Sequence, residues 1–122
     1  MSDDTSASGY DGAEVDASDP DVLFSVLADA RRRCTLYCLS SYGSPMSLPD
    51  VADEVVCWER NADLSEVPPE TVKRVYMSLY HTHVPLLVDA GLVAYDQETD
   101  SLALRSGFEY VEPHLQIIDE SL

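Results

Sequence analysis

Hydrophobic positions recur at helical spacing through the first third of the chain. In the segment 20–42 apolar side chains return every three or four residues, which is the period of one helix face. Asp19-Pro20 before it is a typical helix start, with aspartate as the N-cap and proline in the first turn. The pattern predicts two short helices, or one helix with a break near Asp29, ending at Gly43.

Two further helices follow the same logic. Ser47-x-x-Asp50, with Pro49 in the first turn, predicts a helix start, and the apolar spacing carries this helix to about Trp58 or Asn61. After a polar connector, Pro68-Pro69-Glu70 begins the next helix. We expect its buried stripe to include residues 72, 75, 76, 79 and 83. Pro85 should break or bend it before a stop at Gly91.

The pattern changes after Gly91. Residues 92–95 and 101–105 are short strand-like segments, separated by the polar turn 96–100, which predicts a hairpin. Ser106-x-x-Glu109 then predicts the start of a last helix, to about Asp119. Because a four-helix bundle would leave the hairpin unexplained, the fold is predicted as mainly α (α+β). The prediction is a winged helix-turn-helix with a two-stranded wing and an extra C-terminal helix.

This order divides the chain into three parts. Residues 1–18 carry five acids and no base, a composition typical of a disordered tail. Residues 19–106 form the winged helix-turn-helix domain. Residues 107–122 form a C-terminal helix whose apolar stripe, Phe108, Val111, Leu115 and Ile118, could pack on the first helix or on a second copy. We therefore expect a homodimer.

Charge sets the expected environment. The 122 residues include 23 acidic and 7 basic side chains, for a net charge of −16. At about 1 M salt the Debye length is roughly 3 Å, which screens this self-repulsion, and the acids are spread along the chain. We expect a protein that works in high salt; mimicry of an acidic partner, or binding to a basic one, is the alternative.

The sequence also bounds the location. No stretch has the roughly 20 apolar residues that span a bilayer, and the N-terminus has no signal-peptide pattern. The three cysteines lack a disulfide framework spacing, which fits reduced thiols. The expected location is cytoplasmic, with no membrane partner.

Two segments resemble known winged-helix families. Leu27-Ala28-Asp29-Ala30-Arg31 is similar to the opening of ArsR-like winged-helix repressors, with Ala30 in place of their usual proline. The run from Lys73 to Asp96 resembles an uncharacterised family of small haloarchaeal winged-helix domains, and the resemblance covers about residues 20–106. It implies a DNA-binding regulator of a halophilic archaeon. The metal-binding constellation of ArsR-type sensors is not intact here.

Such a motif places its second helix, here residues 69–83, in the major groove. The side chains predicted to reach double-stranded DNA are polar or basic and lie away from the buried stripe. They are Thr71, Lys73, Arg74, Ser78, His81 and Thr82 on this helix, and Arg105 after the wing. The alternative is an ordinary exposed helix with two bases.

The wing and the arginine cluster complicate this interpretation. The acids Asp96, Glu98 and Asp100 would repel phosphates, so an intimate wing contact is not expected. The cluster 31–33 could contact phosphates, but we favour internal ion pairing with acids such as Asp29, because basic side chains oppose the dipole at a helix start.

The remaining candidates favour structure over chemistry. Cys34 and Cys38 are neighbours on one helix, and they are interpreted as small buried residues rather than as a metal or thiol-switch site. His81 and His83 point apart on a helix. No catalytic constellation emerges. We expect no enzyme activity, no cofactor, no metal and no small-molecule substrate. The main hypothesis is a DNA-binding transcriptional regulator; the alternative is a winged-helix protein–protein interaction module.

Overall fold

The computed structural model describes residues 16–115. Helix α1 (Pro20–Leu27) and α2 (Ala30–Ser41) lead into strand β1 (Met46–Ser47) and helix α3 (Leu48–Arg60). A 3₁₀ turn (Leu64–Glu66) precedes α4 (Pro69–Ser78), a π-helical turn (Leu79–His83) and α5 (Val84–Asp89). Strands β2 (Val93–Asp96) and β3 (Ser101–Leu104) follow, then a 3₁₀ helix (Ser106–Tyr110) and helical backbone at 112–115.

The predicted helix starts at Asp19 and Ser47 and the stops at Gly43 and Gly91 are confirmed. The Asp19 carboxylate accepts a hydrogen bond from the Asp21 amide, and the Ser47 hydroxyl accepts one from the Asp50 amide. These caps satisfy amides that have no partner inside the helix. Asp29 caps α2 in the same way, so the segment 20–42 forms two helices rather than one.

The sheet has three strands, one more than predicted. β3 lies between β1 and β2, and both pairings are antiparallel. β1 is only two residues long, and it runs directly into the N-cap of α3 at Ser47. A segment this short carries no alternation, so the sequence pattern could not predict it. The arrangement of helices and sheet is that of an α+β winged-helix fold.

Residues 69–89 form one long helix built from α4, the π-helical turn and α5. The turn arises before Pro85: the Val84 amide donates to the Leu79 carbonyl, five residues back. Because proline has no N–H, the ordinary helical ladder cannot continue through position 85. The sequence predicts a break or a bend at Pro85; the helix does not break there and instead contains a local π-helical turn before it. At 1.5 Å per residue the long helix measures about 30 Å.

The core joins both ends of the described chain. Ala17 is buried and its amide donates to the Ala90 carbonyl over 3.0 Å. Ala17, assigned to the tail by composition, is therefore packed in the core, whereas residues 1–15 of the predicted tail lie outside the described residues. Phe108, Val111 and Leu115 are buried in the same core. The apolar stripe is thus covered within the protomer up to Leu115, and Ile118 lies outside the described residues.

The last segment begins differently from the prediction. Ser106 lies inside a 3₁₀ helix whose N-cap is Arg105, with no side-chain cap. The Arg105 amide is held by the Leu92 carbonyl. A Cβ on Gly107 would lie 2.5 Å from the Gly91 carbonyl oxygen. Because residues 106–110 form a 3₁₀ helix, the predicted α-helical start at Ser106 is wrong.

Gly107→Ala tests this contact. Because the obstructing atom is backbone oxygen, the added methyl group should force a shift that lowers the free energy of unfolding by about 1–3 kcal/mol. Ser106→Ala, next to it and exposed, is the control and should change stability by less than about 0.5 kcal/mol. Chemical denaturation in molar KCl measures both. Equal stabilities of the two variants would contradict the close approach.

Candidate nucleic-acid interface

One side of the long helix is exposed. Lys73, Arg74, His81 and Thr82 are exposed, and Thr71 and Ser78 are half-buried. Together with the exposed Met77, these residues are named the polar face. The opposite side carries Val75, Leu79 and His83, which are buried in the core. The predicted division of this helix into a buried and an exposed side is therefore confirmed.

The polar face is free of acidic side chains. No Asp or Glu lies between Glu70 and Asp89 in a chain whose net charge is −16. Among residues 16–115, Arg31 forms an ion pair with Glu59, and no ion pair involves Lys73 or Arg74. Within that part of the chain, both charges remain for a ligand.

Hydrogen bonds join the long helix to the wing. The wing is the hairpin that consists of β2, turn 97–100 and β3. The hydroxyls of Tyr76 and Tyr95 each donate to the Asp100 carboxylate over 2.6 Å. The hydrogen bond to Asp100 raises the pKa of Tyr76 to about 12 and raises that of Tyr95 as well. We call these three residues the Asp100 latch. It fixes the wing relative to the polar face.

The latch was missed by sequence reasoning. Asp100 was counted only as a wing-tip charge, yet its carboxylate is directed toward the long helix. Its backbone has a φ of +51°, a conformation that Asp and Asn tolerate better than most residues. That preference marks the turn, but the tyrosine partners depend on how the hairpin packs against the helix.

Asp96 also has an internal role. Its carboxylate accepts hydrogen bonds from the amides of Glu98 and Thr99, at 2.9 and 3.4 Å. Such bonds hold a turn closed. Two of the three wing acids are therefore bound within the wing or to the long helix. The expected repulsion between this wing and phosphates stays a prediction.

Arg105 stands apart from the other predicted contacts. It is exposed, and it follows β3 at the end of the hairpin opposite turn 97–100. The four-residue strand places it roughly 13 Å from the turn, whereas Asp100 at the turn contacts the long helix. The latch therefore holds the turn end of the wing, not the Arg105 end, against the long helix.

The arginine cluster serves the fold. Arg31 forms a two-point ion pair with Glu59, at 2.5 and 3.0 Å. Arg32 donates to the carbonyls of Ser25 and Val26, and Arg33 to that of Leu27. These carbonyls belong to the C-terminal end of α1, where cationic donors are favourable. Internal pairing is confirmed for Arg31, with Glu59 as partner where Asp29 was expected, and backbone carbonyls occupy the other two guanidinium groups.

His83 connects this cluster to the long helix. The side chain is buried, its Nδ1 lies 3.2 Å from Arg32 Nη1, and its Nε2 lies 3.9 Å from Asp29 Oδ1. Because guanidinium can only donate, Nδ1 is the acceptor and the imidazole is neutral with its proton on Nε2. Burial lowers the pKa of His83; the Asp29 carboxylate opposes this shift and the charge of Arg32 adds to it.

Acidification should therefore destabilise the fold through His83. The charged groups around it are Asp29, Arg31, Arg32 and Glu59. Because its pKa in the folded state lies below the unfolded value of about 6.5, the unfolded state binds more protons as the pH falls below neutrality. The stability present above pH 6.5 is then lost as the pH falls through the folded-state pKa.

His83→Gln keeps an acceptor for Arg32 but cannot be protonated. We expect its free energy of unfolding to change less between pH 7 and pH 5 than that of the wild type. Denaturation at fixed molar KCl over this range measures the two slopes. Carboxylate protonation is common to both proteins, so identical slopes would contradict the neutral, buried imidazole.

The cysteines show no arrangement for chemistry. Cys34 and Cys38 are free and buried. The pKa of Cys38 is raised because its thiol is hydrogen-bonded to Cys34 and because burial disfavours the thiolate. Within residues 16–115, no group of three or more His, Cys, Asp or Glu side chains is placed to hold a metal ion. Their interpretation as small core residues stays a prediction.

Across the described helices, none has the length and apolar character needed to cross a membrane.

Comparison with known proteins gives the family. No curated protein and no solved structure matches the chain. A family model described as a domain of unknown function, DUF7344, matches residues 24–103. This match spans α2 to β3 and covers more than half of the chain. The protein therefore belongs to the DUF7344 family.

Proposed function

We propose that the protein is a DNA-binding transcriptional regulator that reads the major groove with helix residues 69–83. The observation that carries the proposal is the polar face: an exposed, acid-free helix side in a strongly acidic chain. An α-helix fits the major groove of B-DNA. Side chains of Arg, Lys, Ser, Thr and His can reach phosphates and base edges from there.

Salt shapes how this interface would work. In molar salt the counterion release that drives non-specific binding is reduced. More of the affinity must then come from direct contacts of Arg74, Ser78 and His81 and from released water. This favours binding that depends on sequence over binding to any duplex. We propose that the protein works in the cytoplasm of a halophilic archaeon, where molar salt is the ordinary condition.

Selection from a random-sequence duplex library in molar KCl, followed by mobility shift, tests the proposal. We expect enrichment of a defined sequence and a shift that an unrelated duplex does not compete away. If no sequence is enriched and no duplex is shifted at any salt concentration in which the protein is folded, the regulator function is excluded.

The alternative is a winged-helix module for protein partners. The exposed Met77 on the polar face favours it, because methionine is over-represented at adaptable protein-binding surfaces. Two results together would support this function. The folded protein would bind no duplex, and the substitution Met77→Ser would abolish its binding to a protein partner.

Homodimer formation stays a prediction. The apolar stripe that motivated it is buried within the protomer as far as Leu115, so the stripe no longer requires a second copy. A two-fold DNA site would still require two protomers. Light scattering in molar KCl, with and without the selected duplex, measures the mass directly.

A further inference from the structure

A second candidate site lies beside the polar face. A cavity of about 530 Å³ opens between the second half of the long helix and strand β2 of the wing. Aromatic side chains Tyr80, His81 and Tyr95 line it, together with the apolar Val84 and Pro85. We name this cavity the cleft. Its volume lies within the range of about 300–1,000 Å³ that is typical of small-molecule sites.

The aromatic rings of the cleft are held in fixed arrangements. The Tyr80 ring meets the Tyr95 ring edge to face, with centroids 5.9 Å apart, and the His81 ring at 5.0 Å. It also stacks parallel to Tyr76 at 6.3 Å. Because Tyr76 and Tyr95 belong to the Asp100 latch, the ring positions are set by hydrogen bonds as well as packing. Such a site is organised before a ligand arrives.

The lining of the cleft includes a carboxylate. Asp89 and Gln97 line it, and neither lysine nor arginine is among its lining residues. Pro85 has no N–H, so position 85 donates no hydrogen bond within the helix. The Val84 amide is directed to Leu79 instead. A π-helical turn of this kind frequently marks a functional site.

We propose that the cleft binds a small organic cation with an apolar or aromatic body. The aromatic rings of Tyr80 and Tyr95 and the Asp89 carboxylate attract positive charge, whereas an anion would meet Asp89 with no lysine or arginine in the lining. The apolar side chains of Val84, Pro85 and Val88 suit the body of such a ligand. Potassium and sodium ions have no apolar body, so these apolar side chains add nothing to their binding.

A ligand in the cleft should also regulate DNA binding, an inference that rests on the proposed function. His81 belongs both to the polar face and to the lining of the cleft. A ligand that occupies the cleft therefore engages a side chain expected to contact DNA. We expect ligand and duplex to compete for the protein.

Calorimetric titration of the full chain in molar KCl tests the cleft without DNA. The probe is benzyltrimethylammonium, and its control is neopentylbenzene, the uncharged isostere with carbon in place of nitrogen. We expect saturable binding of the cation at one site, at least about fivefold tighter than the isostere. No binding, or equal binding of the two probes, would overturn the proposal.

Variants locate the site. Asp89→Asn removes the exposed carboxylate that lines the cleft, and Tyr80→Leu removes an aromatic wall; each should weaken the cation about fivefold or more. Glu70→Gln, an exposed acid on the same helix outside the cleft, is the matched control and should leave affinity unchanged. Circular dichroism shows whether Tyr80→Leu folds, and Asp89→Asn decides the matter if it does not. Equal losses in Asp89→Asn and Glu70→Gln would mean a general charge effect and would refute the cleft.

An experiment with DNA present separates the cleft proposal from the proposed regulator function. Adding the cation to a complex with the selected duplex should reduce the shifted fraction. If the cation binds and no duplex is shifted, the cleft stands and the regulator function fails. If a duplex is shifted and the cation does not bind, the cleft proposal fails and the regulator function stands.

Discussion

Asp100→Asn is expected to lower the free energy of unfolding by about 1–3 kcal/mol and to loosen the wing. A hydrogen bond to a charged group contributes about 1.5–3 kcal/mol. We expect less than the sum of two such hydrogen bonds, because the residues of the Asp100 latch are only half-buried and solvent screens their interactions. Asparagine tolerates the positive φ at this position, so the loss reports on the hydrogen bonds rather than on backbone strain.

Asp96→Asn is the matched control on the same hairpin. It removes the same charge, but an asparagine oxygen can still accept from the amides of Glu98 and Thr99. Relief of acidic repulsion is then common to both variants and cancels in the comparison. A double-mutant cycle of Asp100→Asn with Tyr76→Phe should be non-additive, as expected for residues in direct contact. Equal stabilities of Asp96→Asn and Asp100→Asn would contradict the latch.

The latch also has a pH signature at the alkaline end. The pKa of Tyr76 is raised to about 12 by the hydrogen bond to Asp100, compared with about 10 in an unfolded chain. The stabilisation is therefore fully present below pH 10 and is lost as the pH rises toward 12. Asp100→Asn should flatten this alkaline loss, which absorbance of tyrosinate near the unfolding transition can follow.

Arg74→Ala is expected to weaken binding of the selected duplex by about tenfold or more. A side chain that contacts a base contributes about 1–3 kcal/mol of discrimination, and about 1.4 kcal/mol corresponds to tenfold. Arg74 is exposed in the middle of the acid-free stretch, so the substitution should leave stability nearly unchanged. Ser78→Ala, at a half-buried position of the same face, should cost less because a neutral hydrogen bond is weaker.

The control for Arg74→Ala is Arg60→Ala. Arg60 is exposed in the last turn of α3 and its removal changes the net charge by the same amount. A general electrostatic contribution to DNA affinity would make the two variants alike. We expect Arg60→Ala to change affinity by less than about threefold. Fluorescence anisotropy with labelled duplex measures both, and equal losses would contradict a contact specific to the polar face.

Local chemistry explains how much of this structure the sequence predicts. Helix starts at Asp19 and Ser47 and the stops at Gly43 and Gly91 depend on caps and backbone conformations. These signals lie within a few residues of each other, so they can be read along the chain. The buried and exposed sides of the long helix follow in the same way from the 3.6-residue period.

Features that depend on tertiary packing could not be predicted. Strand β1 exists because Met46 and Ser47 meet Leu102 and Ser101, more than fifty residues away. The Asp100 latch requires the hairpin and the long helix to be in place together. The arginine cluster was assigned to local acids, but its partners are the end of α1 and Glu59 on α3. The contacts of β1, of Tyr76 with Asp100 and of Arg31 with Glu59 are distant in sequence, whereas the carbonyls at the end of α1 lie six or seven residues before the arginines that contact them.

The central claim is that the polar face of the long helix enters a duplex groove. Chemical-shift mapping by NMR in molar KCl, with the selected duplex titrated into isotope-labelled protein, tests it most directly. We predict that the largest amide and side-chain shifts fall on residues 71–82, with smaller shifts in the wing. Shifts confined to α1 and α2, or no shift at saturating duplex, would contradict the claim.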